Sequence, residues 1–311
     1  MPWAPPSNAD HNSRITPRIT RIYTNLIVVY YIVHSITPFT LFTSFTHSSN
    51  MRITGIITTL NEERNITACV QSLLRVCDEV VVTDSYSKDR TVELAKAAGA
   101  KVYQHEYIGD GLQKNLALPY CSNNWVISID ADERLSDELV DMLQHIDLEH
   151  TPYDGYAVRR RNYIGDRWVK CCRWYPDYLV RIFRKDRLQF AGLKQHAFVP
   201  EQNTCRLKAD LIHYRYHNYD ELFAKPERNY STRGAKILYL NGKKANALSP
   251  FLHGFSAFFV NYFLRGGVFG GLDGYVLSKA IAHNSFLKYA KLREYHKDAS
   301  VRDREDWTSV W

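Results

Sequence analysis

Two aspartates stand directly after an apolar run that is typical of a buried strand. The run extends from Trp125 to Ile129, and Asp130-Ala131-Asp132 follows it. In open α/β sheets, ligands bind at the edge where such strands end. Carboxylate oxygens at that edge are the hard ligands that Mg²⁺ and Mn²⁺ prefer. The feature therefore predicts an α/β sheet with a divalent-metal site at the carboxyl ends of its strands.

Strand-like and helix-like segments alternate on the amino-terminal side of this motif. The strand-like runs are Ile53 to Thr59, Glu79 to Thr83 and Lys101 to Tyr103. Apolar residues at helical spacing follow each run in turn, over residues 61–76, 91–99 and 111–118. Because the connections are short, the alternation predicts a mostly parallel sheet with flanking helices.

Polar motifs stand at the ends of these strands and on the third helix. They are T-x-N-E at 59–62, D-S-x-S-x-D-x-T at 84–91, Gln113-Lys114-Asn115, and D-A-D-E at 130–133. In combination they resemble the family 2 glycosyltransferases, which have the nucleotide-sugar fold called GT-A. The resemblance covers about residues 51–297. Within the family the chain most resembles the bacterial lipopolysaccharide core β-glucosyltransferases, through the D-A-D-E motif, Trp174-Tyr175-Pro176-Asp177 and an aromatic, glycine-rich C-terminal stretch.

The resemblance implies a UDP-sugar donor and assigns residues to it. The donor-binding residues are Thr59, Asn61, Glu62, Asp84, Lys114 and Asp130. Asp84 is expected to accept the N–H of the uracil ring, and Asp89 to cap the helix that follows this loop. Asn61-Glu62 is also explained by a helix cap with an acidic first turn. Lys114 is either a cation for uracil or phosphate, or a solvated surface lysine.

The resemblance also implies Mg²⁺ or Mn²⁺ as the cofactor. Asp132 is expected to ligate the metal across both phosphates, and Asp130 to contact the metal or the ribose. The metal would act as a Lewis acid on the leaving nucleoside diphosphate. We expect Glu133 and Arg134 to form a surface pair beside this site.

The general base is less well defined by the sequence. Inverting transfer needs a carboxylate or histidine within reach of the acceptor hydroxyl. We favour Asp177, which follows Trp174-Tyr175-Pro176, although a turn aspartate explains it too; Asp166 and Asp186 are further candidates.

His196 is the second predicted catalytic residue. It would act as a third metal ligand or diphosphate donor, with a core histidine as the alternative. The family usually has glutamate after this histidine, whereas this chain has Ala197. His213 lies in an alternating pattern and is interpreted as a strand residue.

Composition limits the partners and the compartment. The 311-residue chain carries a formal net charge of +7, which suits an anionic membrane surface or a phosphorylated ligand. No zinc-finger spacing, recognition helix or aromatic RNA-binding signature is present, so we expect no nucleic acid. The six cysteines include no CxxC pair, which favours free thiols in the cytosol. We expect a cytoplasmic protein, peripheral on the inner membrane.

Differences in sequence motifs distinguish single-sugar transfer from processive synthesis and from nucleotidyl transfer. Processive synthases carry Q-x-x-R-W, whereas this chain has Lys170-Cys171-Cys172-Arg173-Trp174. Single-sugar transfer is therefore preferred over polymerisation. A nucleotidyltransferase would need a glycine-rich loop after the first strand, and residues 58–62 contain no glycine. The resemblance implies transfer of glucose from UDP-glucose to a lipid-linked oligosaccharide such as the lipopolysaccharide inner core.

The C-terminal part, residues 219–311, is predicted to be helical and separate from a catalytic domain at 51–218. Its main feature is an aromatic stripe at helical spacing, formed by Phe255, Phe258, Phe259, Tyr262 and Phe263. Basic residues follow it, which suits a helix in the interface of an anionic membrane. Packing of the stripe on the catalytic domain is the alternative.

Residues 1–50 differ in composition from the remainder. They hold three arginines and one acid, followed by an uncharged segment from Thr24 to Thr46. We favour an upstream extension, with Met51 as the functional start. The alternative is a membrane anchor over that segment, which is long enough to span.

Overall fold

The fold is described from a computed structural model that covers residues 52–191, 197–225 and 230–303. These residues form nine strands: β1 Ile53–Thr59, β2 Glu79–Asp84, β3 Lys101–Gln104, β4 Trp125–Asp130, β5 Glu133–Leu135, β6 Gly155–Ile164, β7 Arg167–Trp168, β8 Tyr178–Arg184 and β9 Thr204–Tyr216. The helices are α1 Ile66–Leu73, α2 Thr91–Ala97, α3 Asp110–Asn115, α4 Asp137–His145, α5 Tyr219–Lys225, α6 Ser231–Leu240, α7 Ser249–Phe259, α8 Gly271–Lys297 and α9 Ala299–Asp303.

The strands form one mixed sheet in the order β3-β2-β1-β4-β8-β6-β9-β5, with β7 paired to β6. The first four are parallel to one another, as the alternating sequence pattern predicts. From β4 onward, the pairs β4–β8 and β8–β6 are antiparallel, β6–β9 is parallel, and β9–β5 is antiparallel. The predicted α/β fold with flanking helices and a helical C-terminal segment is confirmed.

Alternation along the buried strands places apolar side chains on both faces of the sheet. Ile53 and Ile57 pack with α1 on one face, while Ile56 packs with Phe183 on the other. Gly55 allows α1 to approach the sheet, because a Cβ there would lie 2.8 Å from Cδ1 of Leu73. Both faces are therefore covered, as parallel strands require.

The C-terminal helices pack against the end of the sheet. Ile164 and Tyr216, at the ends of β6 and β9, share an apolar cluster with Leu222 of α5 and Leu277 of α8. Among the described residues, none of the helices combines the length and the apolar character needed to cross a bilayer. Residues 1–51, which include the Thr24–Thr46 segment and Met51, lie outside the described residues, as does His196.

Candidate functional site

The carboxyl ends of the parallel strands bring the predicted polar residues to one edge. Thr59 pairs in register with Asp84, and Thr58 with Asp130. A cavity of about 680 Å³ opens at this edge. Its walls come from the sheet (Asp130, Asp132, Arg160, His213, Arg215, Tyr216), from the start of α3 (Tyr107, Asp110) and from α6 with its preceding residue (Tyr230, Arg233, Gly234, Ile237).

Asp130 is held between two protein cations. Its Oδ1 lies 2.6 Å from Nζ of Lys114, and its Oδ2 accepts from Arg181 at 3.0 Å. Burial alone would raise the pKa of the Asp130 carboxyl, but Lys114 and Arg181 outweigh burial and hold that pKa well below its usual range. Asp130 is therefore an anion whose charge is already balanced. Lys114 is buried, so the alternative of a solvated surface lysine is excluded.

The ion network continues from Arg181 beneath the cavity. Arg181 also donates to buried Glu133 at 2.7 Å, and Arg160 lies 3.5 Å from the same carboxylate oxygen. Burial would lower the pKa of Arg181, but Glu133 and Asp130 raise it. The expected surface pair of Glu133 and Arg134 is wrong, because Glu133 is fully buried and Arg134 donates to backbone carbonyls instead.

Asp132 has a different environment from Asp130, two residues away. Its Oδ2 lies 3.3 Å from Nε2 of His213, and both residues line the cavity. The other ring nitrogen, Nδ1, lies 2.6 Å from Oδ1 of Asn162, whose Nδ2 donates to the Trp174 carbonyl at 2.9 Å. With this amide orientation Oδ1 of Asn162 accepts from Nδ1 of His213, so Nε2 is the ring nitrogen that faces Asp132.

This pair of donors fits a divalent cation. Octahedral Mg²⁺ has ligands at about 2.1 Å, so two adjacent ligands stand about 3.0 Å apart, close to the 3.3 Å between Asp132 and His213. Both oxygens of Asp130 are already paired with cations. No group of three or more metal-binding side chains occurs among the described residues. The remaining ligands would have to come from the substrate and water.

The other predicted donor-binding residues lie on the loops beside β1 and β2. Asp84 is buried and accepts from the Ser87 amide at 2.9 Å, the Ser87 hydroxyl and Gln104 at 3.0 Å. These contacts fix the loop after β2. Thr59 is buried at the end of β1, and its hydroxyl has no hydrogen-bond partner among the described residues.

Asn61 and Glu62 join this loop to the one after β1. The Asn61 amide donates to Ser87 at 2.8 Å, and its side chain accepts from the Lys88 amide at 2.8 Å. Asn61 therefore ties two loops together and does not cap α1, contrary to the cap interpretation. The Glu62 amide donates to the Thr91 hydroxyl at 2.8 Å. Their roles in donor binding stay predictions.

Asp177 lies next to the cavity and is not among the described residues that line it. Its Oδ2 accepts from Nε and an amino group of Arg160 at 3.0 and 2.7 Å, and Arg160 itself lines the cavity. Its role as general base stays a prediction. Asp110, which the sequence interpretation did not name, does line the cavity.

Arg215, on the same wall of the cavity as His213, was also missed by sequence interpretation. Arg215 stands two residues after His213 on β9, so both side chains are on the same face of the strand. Its guanidinium lies 5.4 Å from the ring centre of Trp174 and 5.6 Å from that of Tyr216. No carboxylate lies within 4.0 Å of Arg215 in the described part of the chain. Strand alternation from His213 was the available signal for it.

Comparison with known proteins supports the glycosyltransferase family that the sequence motifs resemble. Residues 54–209 match the profile of "Glycosyl transferase family 2". An uncharacterized glycosyltransferase of Rickettsia felis is 32% identical over 83% of this chain and 96% of its own length. The lipopolysaccharide core biosynthesis glycosyltransferase LpsC of Rhizobium meliloti is 30% identical over 78% of this chain and 93% of its own length. The chain belongs to glycosyltransferase family 2, as its motifs predicted.

A solved structure with a related arrangement is S. aureus TarS 1–349 in complex with UDP-GlcNAc. It is 19% identical, covers 79% of this chain and 92% of that chain, and has a TM-score of 0.39.

Proposed function

We propose that the protein transfers one sugar, glucose from UDP-glucose, to a lipid-linked oligosaccharide such as the lipopolysaccharide inner core. The transfer inverts the anomeric centre, depends on Mg²⁺ or Mn²⁺, and takes place on the cytoplasmic face of the inner membrane. The observation that carries the proposal is the pairing of Asp132 with Nε2 of His213 in the cavity at the strand ends. The relationship to LpsC supports the choice of acceptor.

The donor diphosphate would lie between the two cavity walls. Asp132 and His213 would hold the metal, which supplies Lewis-acid stabilisation to the leaving UDP. Arg215, on the same strand face as His213, would donate to the phosphates beside the metal as a guanidinium donor. Because Asp130 is balanced by Lys114 and Arg181, it adds no net repulsion towards the donor. We expect it to contact the ribose.

The chemical step replaces one bond at the anomeric carbon by another. The acceptor oxygen forms a bond to C1 while the bond from C1 to the phosphate oxygen breaks, and UDP leaves with that electron pair. The acceptor proton passes to a carboxylate, for which we propose Asp177. Arg160 holds its Oδ2, which orients the side chain and leaves Oδ1 to accept the proton. Asp110 is the competing carboxylate, since it lines the cavity.

The C-terminal helices supply the proposed contact with the membrane. In the predicted aromatic stripe, Phe255, Phe259 and Phe263 are exposed rather than packed on the sheet. This arrangement favours the membrane hypothesis over the packing alternative, because monomeric proteins rarely expose large contiguous apolar patches. A surface of this kind would hold the enzyme near a lipid-linked acceptor.

The test is a panel of UDP-sugars offered with truncated core acceptors, followed by NMR of the product. We expect UDP-glucose to be used and the product to be β-linked. An α-linked product from a UDP-α-sugar would refute inversion and with it the role of Asp177. Incorporation of galactose or N-acetylglucosamine alone would refute the proposed donor.

A further inference from the structure

A second cavity lies among the C-terminal helices, away from the strand ends. It is a groove of about 480 Å³ between α5, α7 and α8. Its walls are aromatic and come from all three helices: Phe223, Phe251, Phe255, Phe258, Tyr275 and Phe286. Volume and lining are typical of a site for a small apolar ligand with few polar groups.

Small residues shape the floor of the groove. Gly254 and Ala282 face each other across α7 and α8. A Cβ at Gly254 would lie 3.2 Å from Cβ of Phe286, so the two helices approach closely at this point. Phe251 and Phe255, which also line the groove, reach solvent.

The charge at the groove is positive. Lys279 lines it, and the described lining residues include no carboxylate. Lys279 is exposed and has no carboxylate within 4.0 Å in the described part of the chain. An apolar slot with one cation at its mouth is complementary to an amphiphile with an anionic head.

The groove opens onto an exposed apolar surface. Phe251 and Phe255 are 63% and 71% exposed while also lining the groove. Leu264 and Phe269, at the turn between α7 and α8, are 71% and 91% exposed. Residues 245–264 contain no charged side chain, whereas residues 230–303 as a whole carry eleven Lys and Arg against four Asp and Glu.

We propose that this groove binds one acyl chain of an anionic bilayer phospholipid, with Lys279 beside the lipid phosphate. The proposal rests on the membrane contact in the proposed function and adds a specific lipid site to it. Burial of the exposed aromatic rings against an acyl chain supplies the apolar part of the binding. A phosphate near Lys279 supplies the electrostatic part.

A second copy of this chain fits the groove less well. A symmetric dimer through the same face would place Lys279 of both copies in one interface, with no carboxylate among the described lining residues to balance them. Like charges across an interface disfavour association, whereas an anionic lipid surface attracts both the cation and the apolar rings.

The experiment measures binding of dioctanoyl phosphatidylglycerol and dioctanoyl phosphatidylcholine to the full chain by calorimetry. We expect phosphatidylglycerol to bind about fivefold more tightly, the effect of one lysine near an anionic head. Lys279→Gln should remove that preference. Lys297→Gln, an exposed lysine on the same helix outside the groove, should leave it unchanged.

A second variant tests the acyl slot itself. Ala282→Trp places an indole in the groove and should abolish binding of the short-chain lipid while UDP binding is retained. Equal affinity for the two lipids, or lipid binding unaffected by Ala282→Trp, would overturn the proposal. So would a dimer in light scattering that Ala282→Trp dissociates. Because UDP binding is measured on the same samples, failure of the lipid site is separable from failure of the proposed transferase activity.

Discussion

The catalytic edge and the C-terminal helices depart from the usual distribution of side chains in opposite directions. At the edge, the charged residues Lys114, Glu133 and Arg181 are buried. In the C-terminal helices, the large apolar residues Phe255 and Phe269 are exposed. Ordinary folding stability favours neither arrangement, since burying charge and exposing large apolar groups are both unfavourable.

The difference shows how each surface is stabilised. Buried charges at the edge cancel in a chain of ion pairs that the protein itself completes, from Lys114 through Asp130, Arg181 and Glu133. The exposed aromatic rings contact one another but stay open to solvent, and the proposed membrane contact would cover them. Substitutions at the edge should therefore alter catalysis or stability, whereas substitutions of the exposed aromatic residues on the C-terminal helices should alter membrane binding alone.

The largest expected effect concerns the proposed base. Asp177→Asn should lower turnover about 10²- to 10⁴-fold, the usual contribution of general-base catalysis. UDP affinity should be unchanged because Asp177 acts on the acceptor. Steady-state kinetics and UDP titration of the same preparation measure both. If Asp110→Asn abolishes turnover and Asp177→Asn does not, the base is Asp110.

Breaking the ion network should destabilise the fold. Arg181→Met leaves Asp130 and Glu133 without a shared cation, and removing one member of a buried network costs about 3–5 kcal/mol. Urea unfolding measures the loss. Arg187→Met is the matched control, because Arg187 is an exposed cation 3.8 Å from Asp186 and its loss should change stability by about 0.5 kcal/mol at most. Equal stability of the two variants would contradict the network.

Glu79 lies at the opposite edge of the parallel strands from the cavity, so its substitution should change stability without changing UDP binding. Burial would raise the pKa of Glu79, but Lys101, Thr54 and Ser122 outweigh burial and lower the pKa from 4.5 to about 2. A depressed pKa in the folded state stabilises the protein above pH 4.5, and this contribution is lost as the pH falls towards 2.

Glu79→Gln should therefore cost up to about 3 kcal/mol at pH 7. The difference between variant and native protein should shrink as the pH falls from 4.5 towards 2. Urea unfolding across this range measures it, and UDP binding should be unaffected. A destabilisation that persists unchanged at pH 2 would assign the effect to packing instead.

The smallest expected effect concerns the apolar surface. Phe269→Ser removes one exposed ring from the C-terminal turn and should weaken binding to phosphatidylglycerol vesicles about tenfold, the effect of one buried aromatic side chain. Vesicle flotation measures it. Phe198→Ser, at an exposed ring outside the C-terminal helices, should leave flotation unchanged. Equal losses of vesicle binding in Phe269→Ser and Phe198→Ser would contradict a distinct membrane-binding surface on the C-terminal helices.

The sequence was sufficient for the parallel half of the sheet. Buried strands such as β1 and β4 are rich in apolar and β-branched residues, and their ends carry the polar motifs, so both elements and edge follow from local pattern. The partners of these motifs do not follow from the local sequence pattern. Arg181 is 51 residues from Asp130, and only the antiparallel pairing of β4 with β8 brings them together.

Other parts of the site could not be predicted without the fold, for a similar reason. His213 alternates within β9 like any strand residue, and its position beside Asp132 depends on the pairing of β5 with β9. Helical spacing placed Phe255 and Phe259 on one face of α7 but did not indicate what that face contacts. The Glu133 side chain was predicted at the surface because its partners, Arg160 and Arg181, come from β6 and β8.

The central claim is that Asp132 and His213 hold a divalent metal that binds the donor diphosphate. Calorimetric titration of UDP into the full chain, with Mn²⁺ and with chelator, tests it most directly. We predict at least about tenfold tighter binding with Mn²⁺, no metal dependence in Asp132→Ala, and a reduced dependence in His213→Ala. Equal UDP affinity with and without metal in the unaltered protein would contradict the claim.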